Sequence, residues 1–183
     1  MNTFKKSINY IMDKVKTSLL SLNDEQIEKI CREFLRADRI FLYGAGRSGL
    51  VAKAFAIRLV HLGFQTYVIG ETITPPVRKG DLVIVISGSG ETIPSVMTAE
   101  IAKKIGAKLI AVTSRENSKI SKNADFTVKL STECEDRERA RLAPLGTLFE
   151  ASAWLFLDGL VAKLMEMKGE SEKRMKERHA TLQ

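Results

Sequence analysis

Val83-Ile84-Val85-Ile86-Ser87-Gly88-Ser89-Gly90-Glu91-Thr92 carries four β-branched residues into a loop of glycines and hydroxyls, and Pro94 follows shortly after. The pattern predicts a buried strand, a tight loop and the first turn of a helix. A loop of this kind aims unpaired backbone N–H groups at one point, and the positive end of the helix dipole lies beside it. That point suits a phosphate. Gly88 and Gly90 allow close backbone approach, and Ser87, Ser89 and Thr92 add hydroxyl donors. Glu91 complements the helix start and is also placed to orient a sugar hydroxyl. With no lysine inside the loop, a Walker-type nucleotide site is excluded. Neutral donors fit a sugar phosphate better than a nucleoside triphosphate. A plain strand-to-helix turn would use the same residues for geometry alone.

Outward from this loop, strands are expected at Arg39–Tyr43, Gln65–Ile69, Leu82–Ser87, Lys108–Thr113 and Phe126–Leu130. Helices are expected at Arg47–Leu62 and Glu91–Ile105, with a short one near Ser118–Asn123. Strand–helix alternation of this kind gives a parallel sheet covered on both faces. Ile8, Ile11, Met12, Val15, Leu19 and Leu22 recur at helical spacing, so a helix is expected over residues 3–21. Asn23 then caps a second helix running to about Ala37. Ser131 to Pro144 is polar and aperiodic and reads as a long loop. An apolar helix follows over Thr147–Met167, with a short last helix over Glu170–Arg178. The expected fold is α/β: a single-domain, three-layer α-β-α sandwich over residues 1–183, with a five-stranded parallel sheet, flavodoxin-like, and extra N- and C-terminal helices.

Gly44-Ala45-Gly46-Arg47-Ser48-Gly49 opens the helix after the first strand. It satisfies G-x-G-x-x-G, and Glu71 stands about where a ribose-binding acid would be, so a dinucleotide reading competes here. A second anion-suited loop is not needed for that role. The preferred reading sets the two loops facing each other. Arg47 and Ser48 then contact sugar hydroxyls or phosphate, and the serine loop grips the phosphate.

The net charge of +7 is spread along 183 residues, and the C-terminal lysines and arginines alternate with glutamates. No aromatic-interleaved basic stripe marks a nucleic-acid partner, while a positive field draws in a small dianion. The stretch from Ala151 to Met165 is interrupted by Asp158 and Lys163 and is too short and charged to span a bilayer. No secretion signal is expected, and Cys31 and Cys134 lack companion ligands for a metal, so a cytoplasmic protein with two free thiols is the expectation. Apolar faces on the first helix and on the Thr147–Met167 helix suit a homo-oligomer.

Together these features resemble the sugar isomerase (SIS) domain family, and within it the 6-phospho-3-hexuloisomerases. The resemblance covers nearly the whole chain. It rests on Tyr43–Gly49, Arg58-Leu59-Val60-His61-Leu62-Gly63-Phe64, Gly70-Glu71-Thr72-Ile73-Thr74-Pro75, Ile86–Thr92, Ala143-Pro144-Leu145-Gly146-Thr147-Leu148-Phe149-Glu150 and Glu177-Arg178-His179. It implies interconversion of D-arabino-hex-3-ulose 6-phosphate and D-fructose 6-phosphate, a tetramer and no cofactor. It also implies functional coupling to hexulose-phosphate synthase in formaldehyde fixation and the ribulose monophosphate pathway. At the matching positions it implies phosphate contacts from Ser87, Ser89 and Thr92, a substrate contact from Ser48, and Glu150 as proton acceptor.

Moving a ketone between C3 and C2 needs one base that takes a proton from the carbon beside a carbonyl and returns it to the neighbour. Glu150 qualifies if held close and partly desolvated; the alternative is a surface glutamate favoured by its helix dipole. His179 is read either as part of an exposed tail or as a shuttle for the O2/O3 proton or an aid to fructose ring opening, reaching a site in its own or a neighbouring subunit. His61 is read as a partner for the last carbonyls of its helix. Another aldose–ketose isomerase, or a non-catalytic sugar-phosphate-binding protein on the same fold, would share the serine loop.

Overall fold

The computed structural model describes residues 2–131 and 137–182; Cys134 lies outside them. Five parallel strands form one sheet: β1 (Ile40–Gly44), β2 (Thr66–Val68), β3 (Leu82–Ile86), β4 (Lys108–Thr113) and β5 (Phe126–Lys129). Their order is β2-β1-β3-β4-β5, the flavodoxin-like arrangement expected from the alternation. Helices are α1 (Thr3–Leu20), α2 (Asp24–Arg36), α3 (Arg47–His61), α4 (Ile93–Ile105), α5 (Lys119–Asn123), α6 (Arg137–Leu142), α7 (Thr147–Met167) and α8 (Glu172–Glu177).

Strand parity makes the three layers. Ile40, Leu42, Leu82, Ile84, Ile86, Ile110 and Val112 point to one side, where they pack with Phe34 of α2, Phe55 and Leu59 of α3 and Phe156 and Leu160 of α7. Phe41, Val83, Val85, Leu109 and Ala111 point to the other, against Val96 and Ala99 of α4 and Ile120 of α5. A sheet buried on both faces reads as continuous apolar runs, and all five residues of β3 are buried. Cys31 sits in the first of these clusters, where burial pushes its thiol up to about 11.

Two expectations change. β2 is three residues long, shorter than the stretch expected around it. Residues 137–142, expected within a loop, form α6. Leu142 and Ala143 are buried, the Ser7 hydroxyl of α1 donates to the Leu142 carbonyl at 2.5 Å, and Arg141 pairs with Glu138 one turn earlier. The segment is held by tertiary burial, not by its own periodicity.

The strand order reverses between β1 and β3, so the loops after these two strands flank the crevice where such sheets bind ligands. At the end of β1 the backbone touches the start of α3. A Cβ on Gly44 would lie 2.6 Å from the Ser48 carbonyl, and one on Gly49 would lie 2.6 Å from the Gly44 oxygen. Gly44→Ala should therefore cost about 1–3 kcal/mol of stability through overpacking, read as a lower urea midpoint. An unchanged midpoint would show that the strand and helix can separate without penalty.

Candidate active site

Backbone ties shape the loop after β3. The Ser114 N–H and the Thr113 hydroxyl donate to the Gly88 carbonyl at 3.0 and 3.1 Å, and the Ile120 N–H donates to the Gly90 carbonyl at 3.2 Å. These bonds pin the loop carbonyls to the protein. The Gly90 N–H donates to the Ser87 hydroxyl at 3.2 Å, and the Glu91 N–H to the Ser89 hydroxyl at 3.2 Å. For the N–H groups of Gly88, Ser89 and Thr92 no acceptor is found among the described residues. The hydroxyls of Ser87 and Ser89 lie 3.4 and 3.5 Å from that of Thr92. Carbonyls tied inward with N–H groups and hydroxyls left over make an anion cradle. Gly90 has φ +65, and a Cβ there would fall 2.2 Å from the Ser118 hydroxyl, so no other residue fits.

Glu150 stands in the first turn of α7. Its neighbour Phe149 packs on Gly88, whose added Cβ would meet the ring at 3.1 Å. The Glu150 carboxylate lies over Gly146, with Oε1 2.9 Å from where a Cβ would stand. Oε2 accepts from the Arg47 Nε at 2.5 Å; the Glu150 side chain is 14% exposed and that of Arg47 74%. The carboxylate is thus largely shielded, while its cation reaches into solvent and is weakly held by screening. Three chain segments meet here: the start of α3 through Arg47, the serine loop through Gly88, and the start of α7.

Glu91 is engaged elsewhere. Its Oε1 accepts from the Lys119 backbone N–H at 2.9 Å and its Oε2 pairs with the Lys119 ammonium at 3.2 Å. The backbone hydrogen bond from Lys119, then its side chain, holds the carboxyl below the usual range. Glu91 thus fastens the start of α5. Glu71, the acid of the dinucleotide reading, is paired with Lys53 at 2.6 Å.

His179 is not brought to Glu150 within the chain. It stacks on His61, ring centroids 5.0 Å apart and planes at 26°. His61 ends α3, fourteen residues from Arg47, so the stack lies about 20 Å along the helix from the cradle. Sequence reasoning gave the two histidines separate roles, and no local signal joins residues so far apart in the chain. Among the described residues no group of three or more His, Cys, Asp or Glu side chains is placed to hold a metal ion, and no helix is long and apolar enough to cross a membrane.

Residues 33–149 match the SIS domain. The chain belongs to the SIS domain family. A 3-hexulose-6-phosphate isomerase of Bacillus subtilis is 39% identical over 176 residues, covering 94% of this chain and 95% of its own. Among solved structures, one of a hypothetical protein superposes with a TM-score of 0.93 at 42% identity, covering 98% of this chain and 97% of the other. A Methanococcus jannaschii protein, whose structure infers a 3-hexulose-6-phosphate isomerase function, gives a TM-score of 0.84 at 35% identity, covering 94% and 98%. Within this fold Phe149 joins the start of α7 to the serine loop at Gly88, and the two histidines stack at the far end of α3.

Burial, then the charges of His179 and Arg58, hold the His61 pKa below its ordinary value near 6.5. The folded state therefore favours neutral His61, and the unfolded chain takes up the proton first as pH falls. That contribution to stability is complete above the unfolded value and is lost as pH drops below about 6.5. The chemical-denaturation midpoint should fall between pH 7 and 5 more steeply for the native chain than for His61→Phe. Parallel curves would exclude a neutral buried His61.

Proposed function

We propose that this chain is a 3-hexulose-6-phosphate isomerase, converting a 3-ketohexose 6-phosphate to fructose 6-phosphate without a redox partner. The observation that carries this reading is the junction of Phe149 with Gly88 and of Glu150 with Arg47. It supports a reading in which one shielded carboxylate works beside a phosphate cradle. The phosphate is held by the N–H groups of Gly88, Ser89 and Thr92 and by the hydroxyls of Ser87, Ser89 and Thr92. Arg47 and Ser48, at the start of α3, meet sugar oxygens. Glu150 takes the C2 proton of the 3-ketose, and a C2=C3 enediol forms as the C3 oxygen gains a proton. Glu150 then returns its proton to C3 while the C2 hydroxyl loses its own, leaving the ketone at C2. The weakly held Arg47 shifts toward the developing oxygen charge as substrate displaces it from the carboxylate.

The reaction also needs a group that moves the oxygen-bound proton. His179 serves this role for another copy of the chain. A homo-oligomer is supported by apolar side chains left exposed on two layers: Phe4, Ile8 and Met12 of α1 on one side, and Ile93, Met97, Ile101 and Ile105 of α4 on the other. Two such faces suit two self-complementary interfaces, and so a tetramer.

Glu150→Gln should lower turnover by at least about 100-fold, while calorimetric binding of fructose 6-phosphate persists. Normal turnover would remove Glu150 from the chemistry. Co-refolding Glu150→Gln with His179→Ala should restore activity, because mixed assemblies then contain sites with both native groups. Mixed oligomers without activity would put both groups of a site on one chain.

A further inference from the structure

The histidine stack is held more firmly than a loose tail requires. His61 is 7% exposed. Arg178, next to His179, donates from Nη1 to the His61 carbonyl at 2.9 Å and to the Glu170 carboxylate at 2.8 Å. The guanidinium runs past Gly63, where an added Cβ would meet its carbon at 3.3 Å. One arginine thus ties the segment before His179 both to the end of α3 and to the residues that follow α7.

The exposed ring of His179 is also fixed in its hydrogen bonding. Its Nδ1 lies 3.2 Å from the Ala180 carbonyl. A carbonyl only accepts, so that contact needs a proton on Nδ1, and in the neutral ring Nε2 is left as the free base. On the other side, burial and the nearby Arg58 disfavour a proton on His61. Of the other charges around the stack, Arg178 shares the Glu170 carboxylate with Arg174, and Lys53 pairs with Glu71. A neutral imidazole face tolerates a second ring that gains and loses a proton, whereas two cationic rings at this separation would repel.

We infer that His61 is a positioning residue for the isomerase, holding the His179 ring so that its Nε2 is presented to the active site of a neighbouring copy. This rests on the reading of His179 as the proton shuttle. His61 touches no substrate and acts only through the ring stacked on it. Its worth is orientation, and misplacing a reacting group by about 1 Å costs on the order of 100-fold in rate.

A double-mutant cycle in the full-length enzyme tests this. His61→Ala should lower kcat by about 10–100-fold with KM for fructose 6-phosphate little changed, and His61→Phe, which keeps a flat ring under His179, should recover most of the loss. In the His179→Ala background, His61→Ala should lower kcat no further, since the group it positions is gone. A general structural role would slow both backgrounds alike, and that result would overturn the inference. So would a normal kcat for His61→Ala beside a slow His179→Ala, which would leave the shuttle reading standing. A His179→Ala variant with full turnover would instead remove the shuttle, and the positioning role with it.

Discussion

Ile40 pairs with Leu82, and the register runs unbroken to Gly44 opposite Ile86. This parallel contact between β1 and β3 joins the two halves of the sheet where the direction of strand addition reverses. Everything in the crevice depends on it. The loops leaving the two strands start side by side, and α3 and α4 depart to opposite layers. A slip of one residue would turn Ile40 and Leu42 out of one core and Phe41 out of the other. Because both faces are apolar and differently packed, that register is strongly enforced.

The cradle inherits its geometry from this frame at little side-chain cost. Main-chain bonds from Ser114 and Ile120 hold the loop carbonyls, so an incoming anion meets groups already oriented and pays little for ordering them. The carboxylate comes from a separate helix. Its reach is set by the Pro144–Gly146 turn, in which Leu145 takes the left-handed conformation at φ 54. A leucine rarely adopts that backbone shape, and here it marks the point where the chain turns abruptly into α7. Small residues at 88 and 146 let Phe149 and Glu150 come in close.

The sheet, the two glycine-bearing loops and the apolar helix over residues 147–167 were legible because each has a local signature: β-branched runs, Gly/Ser punctuation, helical spacing. What escaped depends on distant partners. α6 is stabilised by Leu142 and Ala143 packing near α1, a contact no local window contains. The Glu91 carboxylate sits where a helix dipole or a sugar would favour it, yet Lys119 on α5 captures it, and only the fold brings α5 there. Arg47 and Glu150 each have a role of their own in the sequence reading, but their pairing spans 103 positions. The same holds for the two histidines, which stack where Arg178 ties the tail to the end of α3.

One consequence follows from the division of labour between the loop and α7. In the proposed reaction, recognition of the anion falls largely to the peptide backbone, whose N–H groups no point mutation can delete short of introducing proline. Proton abstraction, in the same proposal, falls to one replaceable carboxylate on a different element. Duplicated copies of such a gene can therefore shed turnover in a single step and keep affinity, so the scaffold is predisposed to give rise to receptors that report on a metabolite they no longer transform.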